Sequence, residues 1–306
     1  MGRSMTSRFE MRSENKDVAL LLPGFPVRSA WFLVRLKSPH MIQLLTQVSL
    51  RERSSEQNSS FPSQAHLNNA AADAVRDLLP AYAENDLSSL CSWADHVKFR
   101  YPWSSALHYI NTPDDLCTYS YDRDCKDDSG EAGRCVSGAI KNYTSQLLTY
   151  GKSATQNQYN LTEALLFLSH FIGDVHQPLH VGFTSDEGGN TIDVHWYSRK
   201  TVLHHVWDDN IIETAEEQFY DSNVAEFVDA INQNITGKWS NQVKEWEDCS
   251  DNKTTCPDKC ASESITAACD WAYKDVTEDE YFLSRLPAVN LRLGQAAVRL
   301  AATLNR

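Results

Sequence analysis

Positive charge is in short supply in this sequence. Among its 306 residues, 28 Lys and Arg stand against 41 Asp and Glu, a formal net charge of −13. That deficit excludes a protein that grips nucleic acid through a broad basic surface, because such binding depends on Lys and Arg displacing condensed counterions. A polyanionic substrate would need another source of positive charge, and a bound divalent metal is often the largest local charge in a site. A long unbroken apolar run is missing too. The most apolar stretch near the amino terminus, VALLLPGFPVRSAWFLV, is interrupted by Pro23, Pro26 and Arg28, and so is too short and broken to span a bilayer. Glu10, Glu14 and Asp17 precede it among basic residues, which makes it a poor secretory signal. No internal repeat is evident, and no cysteine spacing matches a zinc finger.

Residues 1–63 also contain no cysteine, and they end in the Ser-rich stretch SLRERSSEQNSSFPSQ. We expect residues 1–65 to form an atypical, disordered N-terminal segment, and residues 66–306 to form one domain. With 42% hydrophobic residues overall, a core of that size is readily filled. All eight cysteines lie in this second part, in an early cluster (Cys91, Cys117, Cys125, Cys135) and a late one (Cys249, Cys256, Cys260, Cys269). Clustered cysteines in polar stretches fit disulfides in an oxidising compartment, although spacing alone leaves their connectivity open. N-x-S/T sequons at Asn58, Asn142, Asn160, Asn234 and Asn252 agree with a secreted or lumenal protein.

From Leu67 onward the pattern is helical. NNAAADAVRDLLP starts at Asn68 or Asn69 and stops at Pro80, and ENDLSSLCSWADHVKF reads as one helix with Leu87, Leu90, Trp93, Ala94 and Val97 inward. SGAIKNYTSQLLTY and NLTEALLFLSHFIGDVHQ are two more, the second capped by Asn160 with Glu163 at the capping-box position and ending near Gln177 before Pro178. NTIDVHWYS alternates like a strand, HHVWDDNIIETAEEQF returns to helix, and Glu278–Leu304 is a long helix with a bend at Pro287. The expected fold class is mainly α, a single helical domain with a short β-hairpin.

Into this helical frame the sequence puts an unusual concentration of ligands. Eight of the ten histidines fall between positions 96 and 205. His170 and Asp174 stand at i and i+4 on one predicted helix, and His204 and Asp208 repeat the spacing on another, so each pair shares a helix face. Asp95, His108 and His180 flank them. Taken singly, a histidine on an apolar helix is more often a hydrogen-bonded core residue than a ligand. Two spaced pairs with three further donors change that balance. Imidazole and carboxylate donors suit zinc, and several zinc ions suit hydrolysis of phosphate esters. His96, His176, His195 and His205 are read as structural, and Trp93, Trp103, Trp196 and Trp207 as core or cleft walls.

CSWADHVKFRYPWSSALHYINTP, LSHFIGDVHQPLHVG, GGNTIDVHW and LHHVWDDNIIE together resemble the zinc-dependent, single-strand-preferring endonucleases of the mung-bean-nuclease type, most closely the plant bifunctional nucleases. The resemblance runs from about His66 to Arg306, and a more distant likeness in fold and zinc cluster links that family to zinc phospholipase C. It implies a trinuclear zinc cleft in a disulfide-bonded, glycosylated, secreted or vacuolar monomer that needs no membrane. Asp95, His108, His170 and Asp174 would hold one zinc, and His180, His204 and Asp208 a second, with Asp174 reaching towards a third. Asp95 would orient the attacking water and Lys98 would neutralise transition-state charge. Tyr109 would stack on a base and Asn111 hydrogen-bond it, with Gly189 and Asn190 completing the pocket. The implied substrates are single-stranded DNA and RNA, cut to 5′-phosphate products, and 3′-nucleotides. The implied glycosylation sites are Asn142, Asn160 and Asn234.

One departure from the family pattern sets a further expectation. Relatives supply the third zinc from an N-terminal Trp and a His five residues later, and a cysteine in the same segment pairs with Cys91. Residues 1–63 contain no Trp followed five residues later by His, and no cysteine. We therefore expect two firmly bound zinc ions and a weak or absent third, and slower turnover. The alternatives are a catalytically inactive, zinc-stabilised remnant and, less favoured by the four motifs, a phospholipase C-like phosphodiesterase.

Overall fold

The computed structural model describes residues 67–152, 158–249, 253–274 and 280–306. The N-terminal segment 1–65, His66 and the sequons at Asn58 and Asn252 lie outside the described residues. A helix that is apolar all round belongs in a protein's interior, and Leu161–Asp174 is such a helix. Asn160 caps it, its side chain accepting a hydrogen bond from the Glu163 backbone at 3.2 Å. Every residue from Ala164 to Asp174 is buried. Tyr143, on the neighbouring helix Val136–Leu147, stacks on Phe167 at 4.9 Å, and Trp93 meets the same ring edge-on at 4.9 Å. Helix Asn69–Leu78, started by Asn68, packs its Ala72 and Val75 against Leu165 and Leu166. The C-terminal helix Tyr281–Leu304 covers the remaining side. Its Pro287 is exposed, and helical geometry continues through the expected bend.

Two expected helices differ in detail. ENDLSSLCSWADHVKF is not continuous: a 3₁₀ turn, Leu87–Leu90, gives way to the short helix Trp93–Val97. The reason lies at the break, where the Cys91 carbonyl accepts a hydrogen bond from His170 Nδ1 at 2.7 Å and so leaves the helical ladder. HHVWDDNIIETAEEQF is helical throughout but contains a π turn, Val206–Asn210, between Leu203–His205 and Ile211–Phe219. Within that turn Trp207 is fully buried and donates from Nε1 to the Tyr281 hydroxyl at 2.9 Å. Helix Leu161–Asp174 ends three residues before Gln177, and Pro178–Val181 follows as a 3₁₀ turn carrying His180. The strand reading extends to a hairpin, Asp193–Trp196 paired antiparallel with Arg199–Val202. Among the described residues no helix is long and apolar enough to cross a membrane.

Three disulfides hold this frame. Cys117–Cys269 joins the early cluster to the late one across 152 residues, Cys125–Cys135 closes a small loop, and Cys249–Cys256 another. Cys91 and Cys260 are buried and belong to none of these three bonds, and the Cys91 thiol donates to the Leu87 carbonyl at 3.7 Å.

The chain just beyond Asp174 is anchored by a buried polar cluster. Ser264, on helix Pro257–Ala267, donates to the Val175 carbonyl at 2.5 Å, and Arg292 Nε donates to the His176 carbonyl at 3.0 Å. These contacts satisfy carbonyls that the ending helix would otherwise leave unpaired. Arg299 grips Glu263 through two bonds of 2.6 and 2.7 Å and reaches His176 Nε2 at 2.9 Å, while Arg292 meets Glu263 at 2.8 Å. One carboxylate thus compensates two guanidinium groups that are each about 5% exposed. Burial and both arginines hold His176 neutral, its pKa well below the usual value. Removing the carboxylate leaves two buried cations without the acid that both of them bond, which costs about 3 kcal/mol. Glu263→Ala is therefore expected to lower the denaturant midpoint by that equivalent, and a midpoint equal to the parent's would show that the cluster contributes no net stability.

Candidate metal centre and cleft

The predicted donors, scattered over more than a hundred residues, converge at the base of one open cleft of about 750 Å3. Helix Trp93–Val97 delivers Asp95, the 3₁₀ turn Pro102–His108 delivers His108, and the central helix delivers His170 and Asp174. The donor atoms are crowded. His170 Nε2 lies 3.1 Å from His108 Nδ1, 3.3 Å from Asp174 Oδ2 and 3.6 Å from Asp95 Oδ2. His108 Nδ1 is 2.9 Å from Asp174 Oδ2 and 3.8 Å from Asp95 Oδ1. A second group forms from His180, His204 and Asp208, with His180 Nε2 3.4 Å and His204 Nε2 3.3 Å from the Asp208 oxygens. Ligands placed tetrahedrally about zinc at roughly 2.1 Å are about 3.4 Å apart. The observed spacings bracket that value, so both groups fit a zinc ion without rearrangement. Asp174 belongs to both neighbourhoods: Oδ2 faces His108 and His170, and Oδ1 lies 3.7 Å from His180 Nδ1.

Backbone carbonyls decide which imidazole nitrogen is free. His170 Nδ1 donates to the Cys91 carbonyl at 2.7 Å, His180 Nδ1 to the His108 carbonyl at 2.8 Å, and His204 Nδ1 to the Gly188 carbonyl at 2.7 Å. Each bond fixes the tautomer and turns an Nε2 lone pair into the site, the usual support of a metal-ligating histidine. His108 is the exception. Its Nδ1 faces the carboxylates, and its buried Nε2 has no hydrogen-bond partner among the described residues. The two groups are also knitted through the main chain: Ile110 N donates to the His180 carbonyl at 2.8 Å, and Thr112 N to the Gly182 carbonyl at 2.9 Å.

The turn that presents the Gly188 carbonyl depends on glycine. Gly188 has φ +62°, and a Cβ there would stand 2.3 Å from the Leu179 carbonyl oxygen, immediately before His180. Gly189, named as pocket-completing, is buried beside it and does not line the cleft, whereas Gly188 and Asn190 do. Tyr109 and Asn111 line the cleft wall as expected. Lys98 is there too, its Nζ 2.7 Å from Asp95 Oδ1. His205, read as structural, is part of the lining. Gln177 is a site residue that the sequence did not reveal: its Nε2 donates to Asp208 Oδ1 at 2.6 Å while its Oε1 accepts from Leu179 N. The one signal was its place before Pro178, where a capping side chain is common. Asn142 and Asn160 are exposed and Asn234 is half-buried, while Thr144 of the Asn142 sequon is buried.

Three buried or half-buried carboxylates beside four imidazoles need positive charge. Burial opposes protonation of His170, but Asp174 and Asp95 outweigh it and push its pKa up to about 9. His180 reaches about 9 in the same way, burial being outweighed by Asp174 and Asp208. Burial wins at His108, which falls to about 4, and at His204, which is also lowered. Burial raises all three carboxylates, yet His170, with Lys98 at Asp95, and His204 at Asp208, bring Asp95, Asp174 and Asp208 below their ordinary range.

Protons on His170 and His180 thus stand where metal charge would. Their pKa of about 9 exceeds the ordinary 6.5, so they stabilise the metal-free chain fully below pH 6.5, and that contribution is lost as pH rises through about 9. Zinc needs the neutral imidazoles, so its uptake at pH 7.5 should expel about two protons, and its affinity should rise with pH across this window. Calorimetry in buffers of different ionisation heat measures the release. Uptake without proton release would show that these histidines are not displaced.

Comparison with known proteins agrees with this geometry. The S1/P1 Nuclease family model matches residues 63–306. The chain is 66% identical over 249 residues to Endonuclease 2 of Arabidopsis thaliana, covering 79% of this chain and 85% of that protein. It is 31% identical over 262 residues to Nuclease S1 of Aspergillus oryzae, covering 80% and 88%. To Nuclease P1 of Penicillium citrinum it is 32% identical over 223 residues, covering 70% and 74%. Donor set, helical fold and extent of match lead to one assignment: the chain belongs to the S1/P1 nuclease family, the zinc-dependent endonucleases that act on single strands.

Proposed function

We propose that residues 66–306 act as a two-zinc endonuclease on single-stranded DNA and RNA, leaving 5′ phosphates, with 3′-nucleotidase activity from the same cleft. The observation that carries this reading is the pair of donor groups, one around Asp95, His108, His170 and Asp174 and the other of His180, His204 and Asp208, each at zinc-ligand spacing in an open cleft. In it, Asp95, His108, His170 and Asp174 hold one ion, and His180, His204 and Asp208 the second. Asp174 offers an oxygen towards a third position. Zinc, when bound, polarises the phosphate and makes a water nucleophilic near neutral pH.

The chain's own groups do the rest. Asp95 is half-exposed at the cleft edge, where one carboxylate oxygen can bind an ion while the other orients a water and accepts its proton. Lys98, now paired with Asp95, is within reach of a phosphate seated above it and would share the charge that develops on it. Tyr109 offers a ring for a base to stack on, and Asn111 an amide to hydrogen-bond its edge, with Asn190 and the Gly188–Gly189 turn opposite. A paired base hides its face, so this wall selects unpaired strands. We place the protein in a secretory or vacuolar compartment as a monomer, with the three disulfides and the sequons at Asn142, Asn160 and Asn234 as support.

Two measurements test the reading. Elemental analysis of His170→Ala and Asp208→Ala should each find about one zinc fewer than in the parent, and unchanged zinc in both would sink the ligand assignment. Tyr109→Ala should lose roughly 1–3 kcal/mol of binding to single strands, seen as a raised KM on single-stranded DNA and a reduced preference over duplex. An unaltered preference would remove Tyr109 from the substrate wall.

A further inference from the structure

The turn that aligns His204 takes its shape from outside itself. Glu187, Gly188 and Gly189 follow one another in the left-handed region, at φ +53°, +62° and +81°, outside any helix or strand. That conformation is unfavourable for a non-glycine residue such as Glu187. Thr112 holds the near end of the turn, bonding Gly182 and Thr184 through the main chain. The left-handed part is held by Asp186 and Tyr273. Asp186 Oδ1 accepts from Gly189 N at 2.8 Å and from the Tyr273 hydroxyl at 3.1 Å, and the same hydroxyl accepts from Phe183 N at 3.0 Å. The Tyr273 ring stacks on Phe183, with centroids 4.5 Å apart and 11° between planes, and the Phe183 carbonyl accepts from Gly188 N at 3.1 Å. Gly182 keeps this junction close: a Cβ there would stand 2.6 Å from the Tyr273 hydroxyl and 2.7 Å from Gly188 Cα. Tyr273 itself is remote in sequence, directly after the π turn Ala268–Ala272 that carries one end of the Cys117–Cys269 bond.

Both hydrogen bonds of that hydroxyl lead to one imidazole. Through Asp186 it fixes Gly189, whose carbonyl accepts from His204 N at 3.3 Å, and through Phe183 it fixes Gly188, whose carbonyl accepts from His204 Nδ1 at 2.7 Å. We propose that Tyr273, which does not line the cleft, is a positioning residue of the second zinc site, acting through Asp186 and Phe183 on the turn that orients His204. This rests on the nuclease reading above and its assignment of His180, His204 and Asp208 to one ion. A partner that fixes the tautomer and ring plane of a ligating histidine raises its affinity for metal, and a group that fixes the partner shares in that effect. His170 and His180 are aligned by the Cys91 and His108 carbonyls, on segments that Tyr273 does not bond. Loss of the hydroxyl therefore reaches one ligand and one ion.

Tyr273→Phe removes the hydroxyl and keeps the stacked ring. Zinc affinities read by chelator competition should part, one ion held about tenfold more weakly than in the parent and the other unchanged. In the metal-free chain the His204 Nδ1–H, followed by nitrogen-edited NMR, should exchange faster with solvent. Turnover should fall at limiting zinc and recover when zinc is raised. Asp186→Ala should reproduce these changes, Asp186→Asn, which keeps an acceptor oxygen, should not, and joining Asp186→Ala to Tyr273→Phe should add little, because both act on one turn. Tyr119→Phe serves as control, since its half-buried hydroxyl bonds Asp258 at 3.2 Å and does not line the cleft. Zinc binding and Nδ1–H exchange equal to the parent's in Tyr273→Phe overturn the proposal, and so does an equal weakening of both ions that Tyr119→Phe shares. A parent that cleaves no single strand while Tyr273→Phe loosens one of its two zinc ions leaves the positioning role standing and removes the nuclease reading. A parent that cleaves single strands with zinc indifferent to Tyr273→Phe does the reverse.

Discussion

A single buried carboxylate governs the architecture. Asp174 is 3% exposed and places its two oxygens among His108, His170 and His180. A carboxylate in that position is tolerable only with cationic neighbours, so the surrounding imidazoles must carry protons or share metal charge. That condition accounts for much of what surrounds it. The helix that bears Asp174 is apolar on every face, which fixes its depth. The helix ends immediately after Asp174, which frees the next six residues to bring His180 back towards the same oxygens.

The fold then behaves as a device for orienting imidazole rings. Three histidines are aligned by carbonyls from three distant segments, at Cys91, His108 and Gly188. Two of those carbonyls depart from ordinary secondary structure to serve: the Cys91 group interrupts a helix, and the Gly188 group sits in a left-handed turn. Behind the site, Arg292 and Ser264 hold the Val175 and His176 carbonyls. The tautomers and ring planes are thus set by the frame.

Much of this was legible in the sequence, and for physical reasons. A repeated His-x-x-x-Asp spacing on a helical pattern puts donor pairs on one face whatever the tertiary structure, and the central helix announces itself by Asn160, its apolar run and Pro178. The β-hairpin could be read from the alternation of Val194 and Trp196. What stayed hidden was carried by the main chain or by contacts remote in sequence. No pattern marks Cys91 as a carbonyl donor to His170, so the helix there was read as unbroken. The disulfide pairing, the role of Gln177 and the exchange of Gly189 for Gly188 at the cleft wall all depend on where loops meet in space. Trp103, read as core or cleft wall, is 47% exposed and so is no core residue, because hydrophobicity alone does not tell a buried ring from a displayed one.

The Cys117–Cys269 bond has a topological consequence. The ring that it closes, from Cys117 to Cys269, encloses His170, Asp174, His180, His204 and Asp208, and leaves Asp95 and His108 outside. An oxidised chain therefore remains a macrocycle carrying most of the donors even when unfolded, with less loop entropy left to lose when they gather. Capturing metal and forming this bond are then thermodynamically coupled: each narrows the ensemble that the other must narrow. By linkage each therefore favours the other, and a reducing environment would weaken the hold on metal without touching a single ligand.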